Sequence, residues 1–209
     1  MREQENLFRN QDPYYHQLEN DTGHFFCNQD MIVTRFRPKE ANCLLRSPFG
    51  FCFAYPDKTD NALKNLLIPE GVEKISGTWS GGGDHETFRE YIIIEKLRFP
   101  QTLDEIGDCA FSGCLIMDME LPLSLRGIGS GSFMCCYIHT LRIPKGLPAP
   151  EISCDMPPGN DHWEQAKKKG LACGGRQFKE TIINTLIVPQ DYPYSRLMPA
   201  ARIDNVVFC

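Results

Sequence analysis

A proline preceded by two alternating apolar residues recurs along the chain. Apolar residues stand three and one positions before each of five prolines, namely Pro69, Pro100, Pro122, Pro144 and Pro189. The successive intervals are 31, 22, 22 and 45 residues, so the central two are equal and the last is close to twice their length. Period-two alternation that ends at a proline is typical of a short strand with one buried face, because proline lacks the N–H of a further ladder hydrogen bond. The pattern predicts repeated short strands.

The register continues beyond each proline. Leucine, valine or isoleucine recurs three and six positions after the proline. The two best copies also share glycine at seven positions, phenylalanine at eleven and cysteine at fourteen. These residues are Gly107 and Gly129, Phe111 and Phe133, and Cys114 and Cys136. A unit this short cannot bury its own apolar side chains, so it must stack on its neighbours with like residues in columns. We therefore predict that Phe111 lies over Phe133.

This pattern resembles the BspA-like leucine-rich-repeat family, most closely over residues 103–114. The resemblance is specific across residues 66–136 and degenerate as far as Pro189. It implies a mainly β, curved leucine-rich-repeat solenoid with coils of about 22 residues, of a kind often found on bacterial surfaces and linked to adhesion or protein binding. It implies no catalytic residue and no cofactor.

The predicted organisation is an N-terminal cap region over residues 1–60 and a repeat region over residues 61–209. Alternating aromatic residues from Phe49 to Tyr55 predict a strand with one aromatic face, and residues 31–36 predict a second strand. Because the end of a repeat array must be covered, an aromatic face here suits a cap. A separate ligand-binding module is the alternative.

Two insertions interrupt the repeats, near residues 77–89 and 148–180. The first contains the run Ser-Gly-Gly-Gly-Asp at residues 80–84, which indicates a flexible loop. The second is rich in proline and then predicts a short helix, with Asp161 as its cap, Glu164 in a capping box and Gly170 at its end. Three lysines, residues 167–169, occupy the last turn, where the helix dipole favours positive charge.

The outward side chains of the predicted strands form the candidate site. Residues four and two positions before each proline should point away from the core, so adjacent coils would place Arg98, Glu120 and Arg142 side by side with alternating sign. The predicted protein-binding residues are Lys96, Arg98, Asp118, Glu120, Thr140 and Arg142. The alternative is that these charges mainly satisfy one another.

Composition argues against several other classes of partner. The net charge of -5 argues against nucleic acid, which needs a concentrated basic surface. No stretch approaches the roughly 20 apolar residues of a membrane helix, so no membrane insertion is expected. The first residues do not read as a secretory signal, so we expect a cytoplasmic protein, or a secreted or cell-surface one whose leader has been removed.

Cysteine and histidine offer only weak candidates for chemistry. His24 near Cys27 invites a nucleophile pairing, and Cys154, His162 and Cys173 match no standard metal-ligand spacing. Cys114 and Cys136 would lie in adjacent coils, within reach of a disulfide, although buried reduced thiols are preferred. No catalytic residue, cofactor or metal is therefore predicted.

Three functional hypotheses remain. The first is a non-enzymatic scaffold that binds an unidentified protein partner through its exposed sheet face, in adhesion or host contact. The second is a structural domain that assembles with copies of itself. The third is a cysteine-dependent enzyme that uses the N-terminal region.

Overall fold

The structure is a computed structural model, and it describes residues 16–39, 43–44, 62–76, 93–148, 151–152 and 177–209. These residues form a mainly β protein, as predicted, with two seven-stranded sheets and one short helix. The strands are β1 His16–Asn20, β2 Gly23–Cys27, β3 Ile32–Pro38, β4 Cys43–Leu44, β5 Ala62–Leu67, β6 Lys74–Ile75, β7 Ile93–Arg98, β8 Glu105–Ile106, β9 Leu115–Glu120, β10 Gly127–Ile128, β11 Tyr137–Arg142, β12 Glu151–Ile152, β13 Ile182–Val188 and β14 Arg202–Phe208. The helix is α1, Tyr194–Leu197.

The longer strands build one sheet, which we call the long-strand sheet. Its order is β14-β13-β11-β9-β7-β5-β4, and all its neighbours are parallel except the β4–β5 pair. The register aligns the residues three positions before each proline in a single row, namely Leu66, Leu97, Met119, Leu141 and Leu186, and Val206 of β14 continues that row. The unequal intervals of the sequence therefore still return each strand to the same register.

Two-residue strands build most of the second, short-strand sheet, in the order β1-β2-β3-β6-β8-β10-β12. From β3 onward its neighbours are parallel, and the pairing aligns Val33, Ile75, Ile106, Ile128 and Ile152. The four coils that begin with β5, β7, β9 and β11 thus each contribute one long strand to one sheet and one short strand to the other.

A column of phenylalanine rings runs through the core. The Phe111 and Phe133 rings lie 5.4 Å apart with planes 3° from parallel, which confirms the predicted contact. The column continues to Phe178, whose ring stacks on Phe133 at 5.0 Å, and it ends with an edge contact from Phe99 to Phe111. Leucine and isoleucine from both sheets surround these rings in one continuous cluster. The stacked copies therefore share a single interior, as a unit too short to bury its own side chains requires.

The long strands depart from the strict alternation that the sequence predicts. Their buried residues are spaced by three, as in Ile94 with Leu97 and Ile116 with Met119. The ladder passes over one residue between each such pair, for example Glu95 and Met117. Two successive side chains therefore point outward in the middle of each long strand, and regular alternation applies only after this point.

The N-terminal strands continue the short-strand sheet. Strands β1, β2 and β3 pair antiparallel in sequence, and β3 pairs in parallel with β6 of the first repeat. Phe25 and Phe36 pack at 4.7 Å within the same cluster that holds Leu66. The predicted strand at residues 31–36 is thus confirmed within β3, whereas the aromatic run at 49–55 and the helix at 161–170 lie outside the described residues.

The last coil is absent from the sequence prediction. Strand β14 begins 20 residues after β13, and Cys209 stands where the earlier strands are followed by proline. The intervening segment carries α1 and buries Leu197 and Met198. The proline pattern does not predict this copy, because the proline is replaced by Cys209, although Ile203 and Val206 occupy the inward positions of its strand.

Candidate functional site

The outward side chains of the long-strand sheet form a surface that we call the outer face. Four of the predicted residues lie in two adjacent rows in the expected register: Lys96 beside Asp118, and Arg98 beside Glu120. Thr140 and Arg142 continue those rows on β11. Polar or aliphatic residues extend both rows over the last two strands, at Thr185, Asn205, Ile187 and Val207.

Arg98, Asp118 and Arg142 form an ion-paired cluster at the centre of the outer face. Each arginine binds a different carboxylate oxygen of Asp118. Arg98 Nη1 also donates to the backbone carbonyl oxygens of Leu97, at 2.8 Å, and Asp118, at 3.1 Å. A carboxylate held by two guanidinium groups has little rotational freedom, so three neighbouring strands carry one rigid charged cluster.

This environment lowers the pKa of the Asp118 carboxyl group. Partial burial alone would raise its pKa, but hydrogen bonds from Arg98 and Arg142, together with their charges, outweigh that effect and lower the pKa below its usual value. The carboxylate is therefore ionised at neutral pH, and the cluster as a whole carries a net positive charge.

The pairing differs in one respect from the sequence prediction. Arg98, Glu120 and Arg142 lie side by side with alternating sign, as expected, but both arginines bind Asp118 rather than Glu120. An arginine is long enough to reach a diagonal neighbour on the next strand, and Asp118 lies between the two. Within the described part of the chain, neither Lys96 nor Glu120 forms a salt bridge.

Sequence reasoning missed two rows of the outer face. Because the ladder passes over one residue per strand, Glu95, Met117 and His139 also lie at outward positions. The second row lies two residues earlier on each strand. Its member Tyr137 is 38% exposed, and its member Leu115 packs in a small apolar cluster separate from the main core. The sequence does contain a signal for these rows. Isoleucine recurs six positions before Pro100, Pro122, Pro144 and Pro189, three residues ahead of the next inward residue, which indicates the three-residue spacing.

The structure does not bring His24 and Cys27 together. They lie three residues apart on β2, whose burial alternates, so Cys27 faces the core while His24 faces outward. His24 Nδ1 lies 3.4 Å from Glu19 Oε2. Burial raises the pKa of the Cys27 thiol to about 11, which opposes the thiolate that a nucleophile needs.

The other cysteine candidates offer no reactive group among the residues that the structure describes. Cys114 and Cys136 are both buried and form no disulfide with each other, and the Cys136 thiol donates to the Phe111 carbonyl oxygen at 3.0 Å. Burial raises the pKa of Cys136 to about 12. Cys154, His162 and Cys173 lie outside the described residues, and within them no cluster could hold a metal ion.

Parallel strands stacked in one register over leucine, isoleucine and phenylalanine columns define a leucine-rich-repeat protein. Residues 84–154 match the family described as the BspA type leucine rich repeat region, in six copies. This match supports a BspA-like leucine-rich-repeat family, a generally non-enzymatic class of scaffold that commonly interacts with proteins. No curated protein and no solved structure matches the chain. Across the described residues, no helix is long and apolar enough to span a membrane.

Proposed function

We propose that this protein is a non-enzymatic solenoid scaffold that binds a protein partner through the outer face of its long-strand sheet. The predicted contact residues are retained in this proposal: Lys96, Arg98, Asp118, Glu120, Thr140 and Arg142. Residues 1–60 serve as the cap of the solenoid, and the meander β1–β3, which joins the short-strand sheet at β6, supports that role.

The observation that carries the proposal is the rigid Arg98–Asp118–Arg142 cluster with unpaired groups around it. Association costs conformational entropy when long side chains must be ordered, and these arginines are already held. Lys96 and Glu120 flank the cluster and, within the described residues, have no ion-pair partner of their own. Arginine and tyrosine are enriched at protein interfaces, and the partly exposed Tyr137 borders the same face.

Charge-exchange variants provide a solution test. We expect Glu120→Lys to weaken partner binding by at least about tenfold, because it reverses a charge that flanks the central cluster of the interface. Arg126→Glu is the matched control, since Arg126 is exposed in the turn before β10, away from the outer face, and pairs only with Asp104 among the described residues. Equal effects of the two variants would contradict the proposal.

The partner needed for that assay is obtained by site-specific cross-linking. A photoreactive residue at position 120 is expected to yield discrete adducts with protein from the native environment, whereas the same residue at position 126 is not. Adhesion or host contact is the finer form of the proposal. Mass spectrometry of the adduct tests it, because a host or extracellular component supports adhesion and an intracellular protein contradicts it.

A further inference from the structure

Among the described strands, β14 lies at one edge of the long-strand sheet. It is the outermost strand, and β13 is its only hydrogen-bonded neighbour among the described strands. Val207 and Phe208 near its end are 47% and 55% exposed, and Phe208 is the most exposed large apolar residue of the described chain. Open strand edges usually carry lysine, proline or a bulge that prevents pairing, and no lysine or proline occurs among residues 202–209.

The backbone of β14 presents two residues to this open edge. The Cys209 N–H donates to the Val188 carbonyl oxygen of β13 at 3.1 Å, so the odd-numbered residues at the end of β14 point toward β13. Since successive residues of a strand direct their N–H and C=O groups to opposite sides, Val206 and Phe208 direct theirs outward. The strand thus offers donors and acceptors for one more ladder.

The side chains of this segment suit pairing with an identical strand. Residues 205–208 carry no charge, so two copies would meet without opposing like charges. Arg202 and Asp204, which are charged, bind each other at 2.8 Å within the chain. Val206 lies at the end of the inward row that begins at Leu66 and is only partly buried. A second Val206 opposite it would extend that row across the boundary between the two copies.

We propose that two copies of this chain associate edge to edge through antiparallel pairing of β14 with β14 about a two-fold axis at Val206. In this register Val206 opposes Val206 of the second copy as a hydrogen-bonded pair, and Asn205 opposes its Val207. Inward side chains then face inward in both copies, so the two sheets join into one. The contact is isologous, so it closes at a dimer and leaves both outer faces available.

Measuring the mass of the full chain in solution tests the dimer directly. Light scattering after size exclusion, over about a hundredfold range of protein concentration, is expected to show a mass that rises to twice that of the monomer and no further. A monomer at every concentration, or a series of larger assemblies, would overturn the proposal. Failure here leaves the proposed outer-face binding unaffected, because that function does not use β14.

A pair of variants tests the role of the backbone. Val206→Pro removes the N–H that points to the open edge, whereas Val206→Ala shortens the side chain but keeps that N–H. We expect Val206→Pro to lose the dimer while Val206→Ala retains it. A dimer that persists in a folded Val206→Pro variant would overturn the proposal.

Disulfide trapping tests the register and does not depend on the proline variant folding. Asn205 and Val207 form a non-hydrogen-bonded pair across the proposed axis, where Cα atoms lie about 4.5 Å apart, within disulfide range. Mild oxidation of the double variant Asn205→Cys/Val207→Cys is expected to convert most of the protein to a covalent dimer. The unmodified chain, which retains the exposed Cys135 and Cys209, and each single variant should remain at background. Equal trapping in the single variants would overturn the register.

Discussion

Individual residues show where the repeat imposes a backbone conformation. Gly113, Cys135 and Glu180 each stand two positions after a phenylalanine of the core column, and all three have positive φ, at 79°, 57° and 58°. The first two turns also make equivalent hydrogen bonds to the next coil. The Gly113 N–H donates to the Met134 carbonyl oxygen, and the Cys135 N–H donates to the Lys179 carbonyl oxygen. Only glycine adopts this conformation without strain, so the turn at Cys135 is strained and that at Gly113 is not.

Exchanging the residues at this position should therefore change stability in opposite directions. A Cβ on Gly113 would meet no atom within 4 Å, so Gly113→Ala should cost about 1 kcal/mol in the free energy of unfolding through backbone strain alone. Cys135→Gly should raise that free energy by about 0.5 kcal/mol, after the added freedom of the unfolded chain is counted. Urea unfolding measures both, and Cys135→Ala is the control because it removes the thiol but keeps the strain. A stabilising Cys135→Ala would assign the effect to the thiol instead.

Tyr192 carries a buried polar group without a partner. It stands three positions after Pro189, where the equivalent residues Leu103 and Leu125 are apolar. Its hydroxyl is buried without a hydrogen-bond partner among the described residues, and burial raises its pKa to about 12. We expect Tyr192→Phe to stabilise the fold by about 1 kcal/mol, because the desolvated hydroxyl is removed. Thermal unfolding measures this. Tyr194→Phe, two residues away, should have little effect because among the described residues only the Tyr192 hydroxyl is buried without a partner. A destabilised Tyr192→Phe would contradict the assignment.

At the scale of elements, the long strands align equivalent residues in rows, but the ladder passes over one residue in each strand. The sequence predicted the rows because the residue three before each proline is apolar, as Leu97 and Leu141 illustrate. It did not predict two successive outward residues, because the ladder passes over Glu95 and its equivalents for reasons of strand geometry rather than residue type. Nor could it predict that Arg98 binds Asp118 instead of Glu120, since that choice depends on how long side chains lie across neighbouring strands.

The Asp118 cluster makes the stability of these strands dependent on pH. Because the pKa of Asp118 is lower in the folded protein than in the unfolded chain, its contribution is fully present above the unfolded value of about 4 and is lost as pH falls through the folded value. We expect Asp118→Asn to cost about 1 kcal/mol at neutral pH. The difference between variant and unmodified chain should shrink toward zero in strong acid. Urea unfolding at a series of pH values measures it, and a difference that is constant across pH would exclude an ionic origin.

The whole molecule depends on one interior shared by successive coils. The contact of Phe111 with Phe133 was predictable because both copies are complete and lie 22 residues apart. The continuation to Phe178 was not predicted, because an insertion separates it from Phe133 and Thr181 replaces the consensus cysteine three positions after it. Strand β14 was missed for a related reason, since Cys209 replaces the proline by which the other copies were recognised.

Removing the middle ring of the column should destabilise the coils on both sides. Phe133 is fully buried between Phe111 and Phe178, so Phe133→Ala should cost about 3–5 kcal/mol in the free energy of unfolding, through lost burial and the cavity left behind. Phe133→Leu fills part of that space and should cost less. Urea unfolding followed by circular dichroism measures both variants. A cost below about 1 kcal/mol for the alanine variant would show that the coils do not depend on a common core.

The constant register of the long-strand sheet has a consequence for engineering. Strands β7, β9 and β11 are spaced by 22 residues, yet the spacings of 31 before β7 and 45 after β11 bring the chain back to the same alignment. The length of the excursion between two strands is thus uncoupled from their stacking, since closing a longer loop adds little entropic cost. Lengthening or shortening the chain between two long strands is therefore expected to leave the alignment of the flanking strands unchanged.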